Sequence, residues 1–240
     1  MSDDTESIDS NRVVAVVIGR AGSKGLPGKN LLPIGGRPMI AHSVEHACGS
    51  SLVGRVLCST DGPEIAAAAE RAGAEIVMRP AELASDTATV DSAVRHAITE
   101  SASDAEYVVM LYGNVPIRPP GLVDRALEEL LRSGADSVQS YGPVGKNHPY
   151  WTVRIDDQGV VEAWQDHDVH RRQDLPPAFI PDGGVVAVTR RALFDVDSGH
   201  PHAFLGQARR GIMNPEGSVV DVDGRADYLL ACALHEGEIA

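Results

Sequence analysis

A glycine-rich loop carries three positive side chains within a stretch of ten residues. They are Arg20, Lys24 and Lys29, and the loop directly follows the apolar run VVAVVI (13–18). The glycines recur at every third position: Gly19, Gly22, Gly25 and Gly28. Glycine lets backbone N–H groups close on oxygen atoms, and a helix that follows such a loop adds the partial positive charge of its N-terminus. The loop is therefore predicted to bind a polyanion such as a triphosphate.

Two common phosphate-binding loops do not fit this glycine spacing. In a Walker A loop, G-x-x-x-x-G-K-[ST], the first glycine would fall at Ser23, and Asn30 stands where Ser or Thr is required. A dinucleotide loop, G-x-G-x-x-G, fails because these glycines are three residues apart. The alternative is a surface loop with ordinary solvated cations. The formal net charge of -13 favours a phosphate site, because a local positive field is needed to gather an anion on an acidic surface.

Two carboxylates lie one residue apart near the C-terminal end of the sequence. Asp221 and Asp223 end the stretch SVVDVD (218–223), which is predicted to be a strand. Mg²⁺ takes hard oxygen ligands, usually one or two carboxylates together with phosphate oxygens. The alternative for this pair is helix capping or a solvated edge. Asp61, after the second predicted strand, is interpreted as the N-cap of the next helix.

The composition narrows the class of protein. The 240 residues, 43% of them hydrophobic, suffice for one large domain, and the pI of about 5.0 argues against a nucleic-acid or anionic-membrane partner. Three cysteines without metal spacing indicate a reducing compartment, which we expect to be the cytoplasm. Residues 1–12 are predicted to be a disordered acidic tail and not a signal peptide. No apolar run approaches the roughly 18 residues of a membrane span.

Apolar β-branched runs alternate with helical patterns as far as residue 134. The predicted strands are 13–18, 55–59, 75–78 and 106–112, and the predicted helices are 39–48, 62–73, 90–101 and 120–134. This alternation predicts a Rossmann-like α/β fold, a mostly parallel sheet with helices on both faces. Further predicted strands at 184–189 and 218–223 and a helix at 225–236 complete residues 13–240 as a single domain.

The pattern changes at about residue 143. The stretch WTVRIDDQGVVEAW (151–164) alternates around a turn at 157–159, which predicts a β-hairpin. We interpret residues 143–182 as an excursion from the one sheet. The excursion carries Trp151 and Trp164 but no core of its own, and an isolated hairpin is marginal in water. It is therefore predicted to mediate a homodimer.

The loop motif R-x-G-S-K-G-x-x-x-K-N (20–30) resembles the nucleotide-binding signature of the acylneuraminate (CMP-sialic acid) cytidylyltransferases. Later segments resemble that family in the same order; they include STDGPEIAAAAERAGAEIVMRP, HPYWTVRIDDQG, RRQDLPPAFIPDGGVVAVTR and VVDVDGRADYLLA. The resemblance covers about residues 13–235. The related Kdo cytidylyltransferases usually carry arginine at the position of Lys24, so the lysine favours the sialate branch.

The resemblance implies roles for individual residues. Those implied to contact the triphosphate and ribose are Arg20, Gly22, Ser23, Lys29 and Asn30. Arg20 and Lys29 would stabilise charge on the α-phosphate and the departing pyrophosphate, with Asp223 as a third catalytic residue. Asp221 and Asp223 match metal ligands. Two residues keep alternatives: Lys24 is a phosphate contact or a solvent-facing charge, and Arg79 lies near the nucleotide or anchors its own loop.

The sugar site resembles the family less closely. Arg172 and Gln173 lie in RRQDLP, which resembles the segment that holds the acidic sugar, where a forked arginine suits a carboxylate. The family commonly shows L-Q-P-T-S-P-L-R where this chain has LYGNVPIR (111–118). Tyr112 thus replaces a glutamine that contacts the sugar in the family, and Asn114 lies beside it. Either the two residues line the sugar pocket, or Tyr112 packs beneath the loop.

The resemblance implies a cytidylyltransferase that uses CTP and Mg²⁺ to convert a 2-keto-3-deoxy sugar acid into its CMP-sugar. N-Acetylneuraminate and Kdn are the expected acids, and Kdo, legionaminate and pseudaminate are alternatives. The excursion of the family reaches across a homodimer to the neighbouring active site. Two other classes stay open: a GT-A-type glycosyltransferase, which also pairs a nucleotide-binding sheet with D-x-D, and a non-catalytic nucleotide-sugar binding protein. The sequence does not identify a general base.

Overall fold

The computed structural model describes residues 9–22, 25–85, 87–196 and 200–237. In chain order its helices and strands are β1 (Val13–Ile18), β2 (Pro33–Ile34), β3 (Arg37–Pro38), α1 (Met39–Cys48), β4 (Arg55–Thr60), α2 (Pro63–Arg71), β5 (Glu75–Met78), α3 (Val90–Glu100), β6 (Tyr107–Tyr112), α4 (Leu122–Ser133), β7 (Ser137–Pro143), β8 (Val153–Ile155), β9 (Val161–Ala163), β10 (Phe179–Thr189), α5 (Arg190–Phe194), β11 (Arg209–Met213) and α6 (Arg225–Glu236). Within these ranges no helix is long and apolar enough to cross a bilayer.

Seven strands form one sheet in the order β11-β7-β10-β6-β1-β4-β5. β1 lies in the interior of this order and pairs in parallel with β4 and β6, and β5 pairs in parallel with β4. β10 runs antiparallel to both β6 and β7, and β11 is parallel to β7. The predicted Rossmann-like, mostly parallel sheet is confirmed. Because β1 is covered on both faces, its side chains are apolar without alternation.

Helices cover both faces of the sheet, as predicted. The two-residue period of β1 sends Ala15 and Val17 into a core with α1, α2 and α4, whereas Val14 and Val16 enter a core with α3 and α5. α4 presents residues three and four positions apart to this core, and its buried residues are Leu122, Val123, Ala126, Leu127 and Leu130. The sheet is thereby fixed as a rigid base for the loops at its edge.

The predicted strand at 218–223 is wrong. These residues form one isolated antiparallel bridge, between Val220 and Ile117, and Val222 N donates to Asn114 O at 2.9 Å. Val220 and Val222 are buried in a third apolar cluster with Ile34, Met39 and Ala231 of α6. The apolar alternation thus reflects packing under α6, while the backbone contacts the loop that follows β6.

Two strands of the sheet have no counterpart in the sequence prediction. β7 contains the buried polar residues Ser137 and Ser140, and β11 begins with two exposed arginines. The predicted tail also ends earlier than residue 12, since Ser10–Arg12 form a short 3-10 helix and Arg12 forms an ion pair with Glu106. Residues 1–8 lie outside the described ranges.

The predicted hairpin is present as β8 and β9, which pair antiparallel. It belongs to an excursion between β7 and β10, and β10 begins at Phe179, inside the predicted range 143–182. Large apolar residues of the hairpin and of the start of β10 are exposed: Val153, Ile155, Val160, Val161, Trp164, Phe179 and Ile180. Arg154 lies over the Trp164 ring, 4.4 Å from its centroid.

Candidate active site

A cleft of about 550 Å³ opens at the carboxyl ends of β1 and β6, whose last residues, Ile18 and Tyr112, line it. The carboxyl end of a parallel sheet is where α/β folds bind ligands. Seven residues predicted from the sequence line this cleft: Arg20, Lys29, Asn30, Arg79, Tyr112, Asn114 and Asp223. The fold therefore gathers side chains separated by up to about 200 residues of sequence into one site.

Hydrogen bonds to the backbone of Gly19 and Arg20 anchor the start of the glycine loop. Gly19 N donates to Ser59 O at 3.1 Å, and Asn30 Nδ2 donates to Arg20 O at 2.9 Å. The prediction of Asp61 as an N-cap is wrong: Gly62 holds that position, and Asp61 Oδ1 accepts from Ala21 N at 2.8 Å. Asp61 is thus a support for the loop that sequence reasoning missed.

The loop is followed by a 3-10 turn and not directly by an α-helix. The turn is Lys29–Leu31, and α1 begins only at Met39, so the expected helix N-terminus does not follow the loop. Gly25 packs against the backbone of Asp223: a Cβ atom added to Gly25 would lie 2.8 Å from Asp223 O. Gly22 is exposed and outside the cleft lining, and Ser23 and Lys24 lie outside the described residues.

The two carboxylates have different partners. Lys29 Nζ donates to Asp223 Oδ1 at 2.8 Å, and Asn114 Nδ2 donates to Asp221 Oδ1 at 2.5 Å. Asp221 presents part of its surface to solvent, yet the protein packed around its carboxylate and the negative charge of Asp223 raise its pKa to about 6. Lys29 and Arg118 act in the opposite direction. The pair is therefore a local excess of negative charge next to a cation from the glycine loop.

The acid pair has the chemistry of a magnesium site. It supplies hard carboxylate oxygens, and a divalent cation held there would offset the negative charge of Asp223, which adds to burial in raising the pKa of Asp221. Among the described residues, no group of three or more His, Cys, Asp or Glu side chains could hold a metal ion. Further ligands would therefore come from the phosphates of a bound substrate and from water, as is usual for Mg²⁺.

Arg79 brings buried donors to the cleft. Its side chain is buried, and in the described part of the chain neither Nε nor Nη2 has a hydrogen-bond acceptor. Burial lowers the pKa of this guanidinium. Asn30 Oδ1, which also belongs to the cleft lining, is buried without a donor in the same part of the chain. A buried polar group left unpaired costs about 1–3 kcal/mol, so a ligand that pairs these atoms gains affinity.

A buried arginine that the sequence did not single out fixes the loop after β6. Arg118 Nη2 donates to Tyr112 O at 3.0 Å, and Arg118 Nε donates to Gly184 O at 2.6 Å. Burial lowers its pKa to about 9, so it is still charged at neutral pH. The signal available in the sequence was an arginine followed by two prolines, which alone does not distinguish a buried charge from an exposed one.

The two residues predicted to hold the sugar carboxylate do not line the cleft. Arg172 and Gln173 belong to an exposed 3-10 turn, Arg172–Asp174, and are not among the residues that line the cleft. A single chain does not bring them to the nucleotide loop.

A family model described as Cytidylyltransferase matches residues 14–178. This match includes the glycine loop, Arg79 and Tyr112 but ends before the acid pair. The chain belongs to the cytidylyltransferase family.

Curated relatives of this chain carry related names. It is 28% identical over 90% of its length to an N-acylneuraminate cytidylyltransferase of Streptococcus agalactiae serotype V, of which it covers 51%. It is 30% identical over 94% of its length to a CMP-N,N'-diacetyllegionaminic acid synthase of Legionella pneumophila, of which it covers 97%. The chain thus spans about half the length of the streptococcal relatives and nearly all of the Legionella one.

The solved structures agree at the level of the fold. CMP:2-keto-3-deoxy-manno-octonic acid synthetase complexed with CTP matches with a TM-score of 0.72 and 20% identity, over 95% of this chain and 99% of that one.

Proposed function

We propose that this cytidylyltransferase transfers CMP from CTP to the anomeric hydroxyl of a 2-keto-3-deoxy sugar acid and releases pyrophosphate. The observation that carries the proposal is the 2.8 Å ion pair between Lys29 and Asp223, which joins the glycine loop to one carboxylate of the acid pair in one cleft. The names of the relatives support a nine-carbon acid of the sialic-acid type.

In the proposed reaction the anomeric oxygen attacks the α-phosphorus of CTP in line. The bond between the sugar oxygen and phosphorus forms, the bond from phosphorus to the bridging oxygen breaks, and the hydroxyl proton passes to water. Arg20 and Lys29 would donate to the phosphate oxygens, where charge grows in the transition state. Asp221 and Asp223 would hold Mg²⁺, which when bound neutralises charge on the triphosphate.

The nucleotide selectivity would come from the deeper side of the cleft. Arg79 Nε and Nη2 offer two buried donors, and Asn30 Oδ1 offers a buried acceptor. A cytosine carbonyl would accept from the Arg79 donors, and a ribose hydroxyl would donate to Asn30 Oδ1. Sites that leave such atoms unpaired discriminate strongly against ligands that lack the partner.

The sugar would lie against Tyr112. Its ring lines the cleft, and its pKa is raised by burial and by the nearby Asp221 and Asp91. An aromatic surface discriminates less between polar substituents than a hydrogen-bonding amide does. We therefore infer that the enzyme accepts Kdn as well as N-acetylneuraminate. Legionaminate is a second candidate acid, supported by the 30% identity to the Legionella protein over nearly its whole length.

The exposed hairpin would be covered by a second copy of the chain. The apolar residues of β8 and β9, among them Ile155 at 66% and Val161 at 59% exposure, are more typical of an interface than of a solvated surface. In such a homodimer Arg172 and Gln173 would approach the neighbouring cleft. The three cysteines are unpaired, which suits a reducing compartment such as the cytoplasm.

Pyrophosphate release tests the activity. The purified chain is incubated with Mg²⁺, each of the four ribonucleoside triphosphates and a panel of sugar acids: N-acetylneuraminate, Kdn, legionaminate, pseudaminate and Kdo. Release that requires both CTP and a nonulosonate supports the proposal. Release with CTP and Kdo alone would move the substrate to the eight-carbon acids, and no release with any pair would overturn the transferase.

A further inference from the structure

The loop that follows β6 is held in place by groups behind it. The single Ser43 hydroxyl proton lies between two acceptors, Tyr112 O at 2.9 Å and Val115 O at 3.1 Å from Oγ, and Arg118 also donates to Tyr112 O. Gly113 packs so closely that a Cβ atom would lie 2.2 Å from Ile40 Cδ1. The backbone of Asn114 is therefore fixed without help from its own side chain.

The side chain of Asn114 points at the acid pair. Its Nδ2 donates to Asp221 Oδ1 at 2.5 Å and to Val222 O at 3.3 Å, and its backbone O accepts from Val222 N at 2.9 Å. Both neighbours of the amide are acceptors, so the NH₂ group must face them, and the orientation of the amide is determined by chemistry. The segment 221–222 is thus tied to the loop at three points.

We propose that Asn114 is a positioning residue that orients the Asp221 carboxylate for the metal ion. This inference rests on the proposed function, because it assigns the acid pair to Mg²⁺. The amide donates a hydrogen bond to Oδ1 of Asp221 and so limits rotation of the carboxylate. Oδ2 is then the oxygen of Asp221 that does not bond to Asn114. Asn114 therefore acts through Asp221, and its amide NH₂ is not available to read the sugar.

Removal of the donor should weaken the metal site without unfolding the protein. Groups that orient a ligating carboxylate typically contribute about 10–100-fold in metal affinity. Asn114→Ala deletes the amide, and Asn114→Leu keeps a side chain of similar size that has no donor for Asp221. We expect the Mn²⁺ dissociation constant in the presence of CTP to rise at least about 10-fold in both variants. Asn11→Ala, at an exposed asparagine, is the matched control.

The test measures Mn²⁺ binding by electron paramagnetic resonance, Mg²⁺ half-saturation of turnover, and thermal melting. Weaker Mn²⁺ binding with an unchanged melting temperature, and no further effect of Asn114→Ala when Asp221→Asn is already present, support the positioning role. Unchanged Mn²⁺ affinity in both variants, or a wild-type chain that binds no Mn²⁺ with CTP, overturns it. A wild-type chain that transfers no CMP, but whose Mn²⁺ affinity still depends on Asn114, overturns the proposed reaction and leaves this role standing.

Discussion

Lys29 Nζ and Asp223 Oδ1 lie 2.8 Å apart, although 193 residues separate them in the chain. The lysine side chain is 17% exposed and the aspartate side chain 77% exposed, so solvent screens the pair. An ion pair of this kind contributes only about 0–1 kcal/mol to folding. Its value lies instead in placing a cation and a carboxylate at the same edge of one cleft.

Lys29→Ala should lower turnover far more than stability. Loss of one charged donor to a transferring phosphoryl group typically costs about 10²-fold or more in rate. The comparison is between kcat and the melting temperature of the variant, with Arg71→Ala at the exposed end of α2 as the control for loss of a cation. A folded Lys29→Ala protein with near-normal turnover would remove the lysine from the mechanism.

Asp223→Asn should abolish Mg²⁺-dependent turnover and leave the fold intact, because the carboxylate is exposed and its ion pair within the described ranges is the one with Lys29. Asp221→Asn should behave similarly or more mildly. Turnover is measured across a Mg²⁺ titration, with Glu100→Gln at the exposed end of α3 as the control. Full activity of both aspartate variants at saturating Mg²⁺ would show that the pair does not hold the metal.

The sheet was predictable where burial on both faces leaves a continuous apolar signal. β1, β4 and β6 have that signal, whereas β5 is an edge strand with exposed ends; the bounds of all four agree with the prediction within one residue. β7 does not have that signal, because its buried Ser137 and Ser140 are paired through their hydroxyl groups with Leu205 O and Asp182. Such pairing depends on residues distant in sequence, so no local pattern predicts it.

The sequence predicts the chemistry of the site from its residue types, but it does not predict the hydrogen-bond partners of those residues. The glycine loop and acid pair indicated phosphate and metal chemistry, and Arg20, Lys29 and Asp223 line one cleft, whereas Asp221 is not among its lining residues. The roles of Asp61 and Arg118 depend on backbone groups that only the folded chain brings near. The segment 218–223 shows the converse error, since packing under α6 produces the same alternation of apolar residues as a strand.

Tyr112→Gln should increase the preference for N-acetylneuraminate over Kdn. Glutamine offers an amide with donors and an acceptor where tyrosine offers a ring and one hydroxyl. The measurement is the ratio of kcat/KM values for the two acids, and Tyr112→Phe separates the hydroxyl from the ring. If the ratio is the same in wild type and Tyr112→Gln, this position does not read the sugar.

Light scattering at micromolar concentration should give twice the chain mass of 25.4 kDa. Ile155→Glu, which puts a charge on the exposed face of β8, should shift the protein toward monomer, because burial of an unpaired charge is unfavourable. Leu229→Glu on α6, where the leucine is 55% exposed, serves as the control and should leave the mass unchanged. A wild-type monomer with full activity would exclude the homodimer.

His46 should make the fold sensitive to acid. Burial and the nearby charge of Arg118 lower its pKa from 6.5 to about 4. Between these values the unfolded chain binds a proton that the folded chain does not, so the stability is present above pH 6.5 and is lost as the pH falls toward 4. The loss from pH 7 to pH 5 is about 2 kcal/mol.

Denaturant unfolding of His46→Gln at these two pH values checks this. The His46→Gln variant should lose less stability than wild type on acidification. The control is His170→Gln, which removes an exposed imidazole and should lose as much stability as wild type. An equal loss in wild type and His46→Gln would assign the acid sensitivity to other groups.

The fate of the α-phosphorus tests the central claim most directly. The chain is incubated with Mg²⁺, N-acetylneuraminate and CTP labelled at the α-phosphate. We predict that the label enters a CMP-sugar in equal amount to the unlabelled pyrophosphate released, and that Lys29→Ala slows both products together. Labelled CMP that forms without the sugar acid, or a sugar product formed without pyrophosphate, would contradict the account.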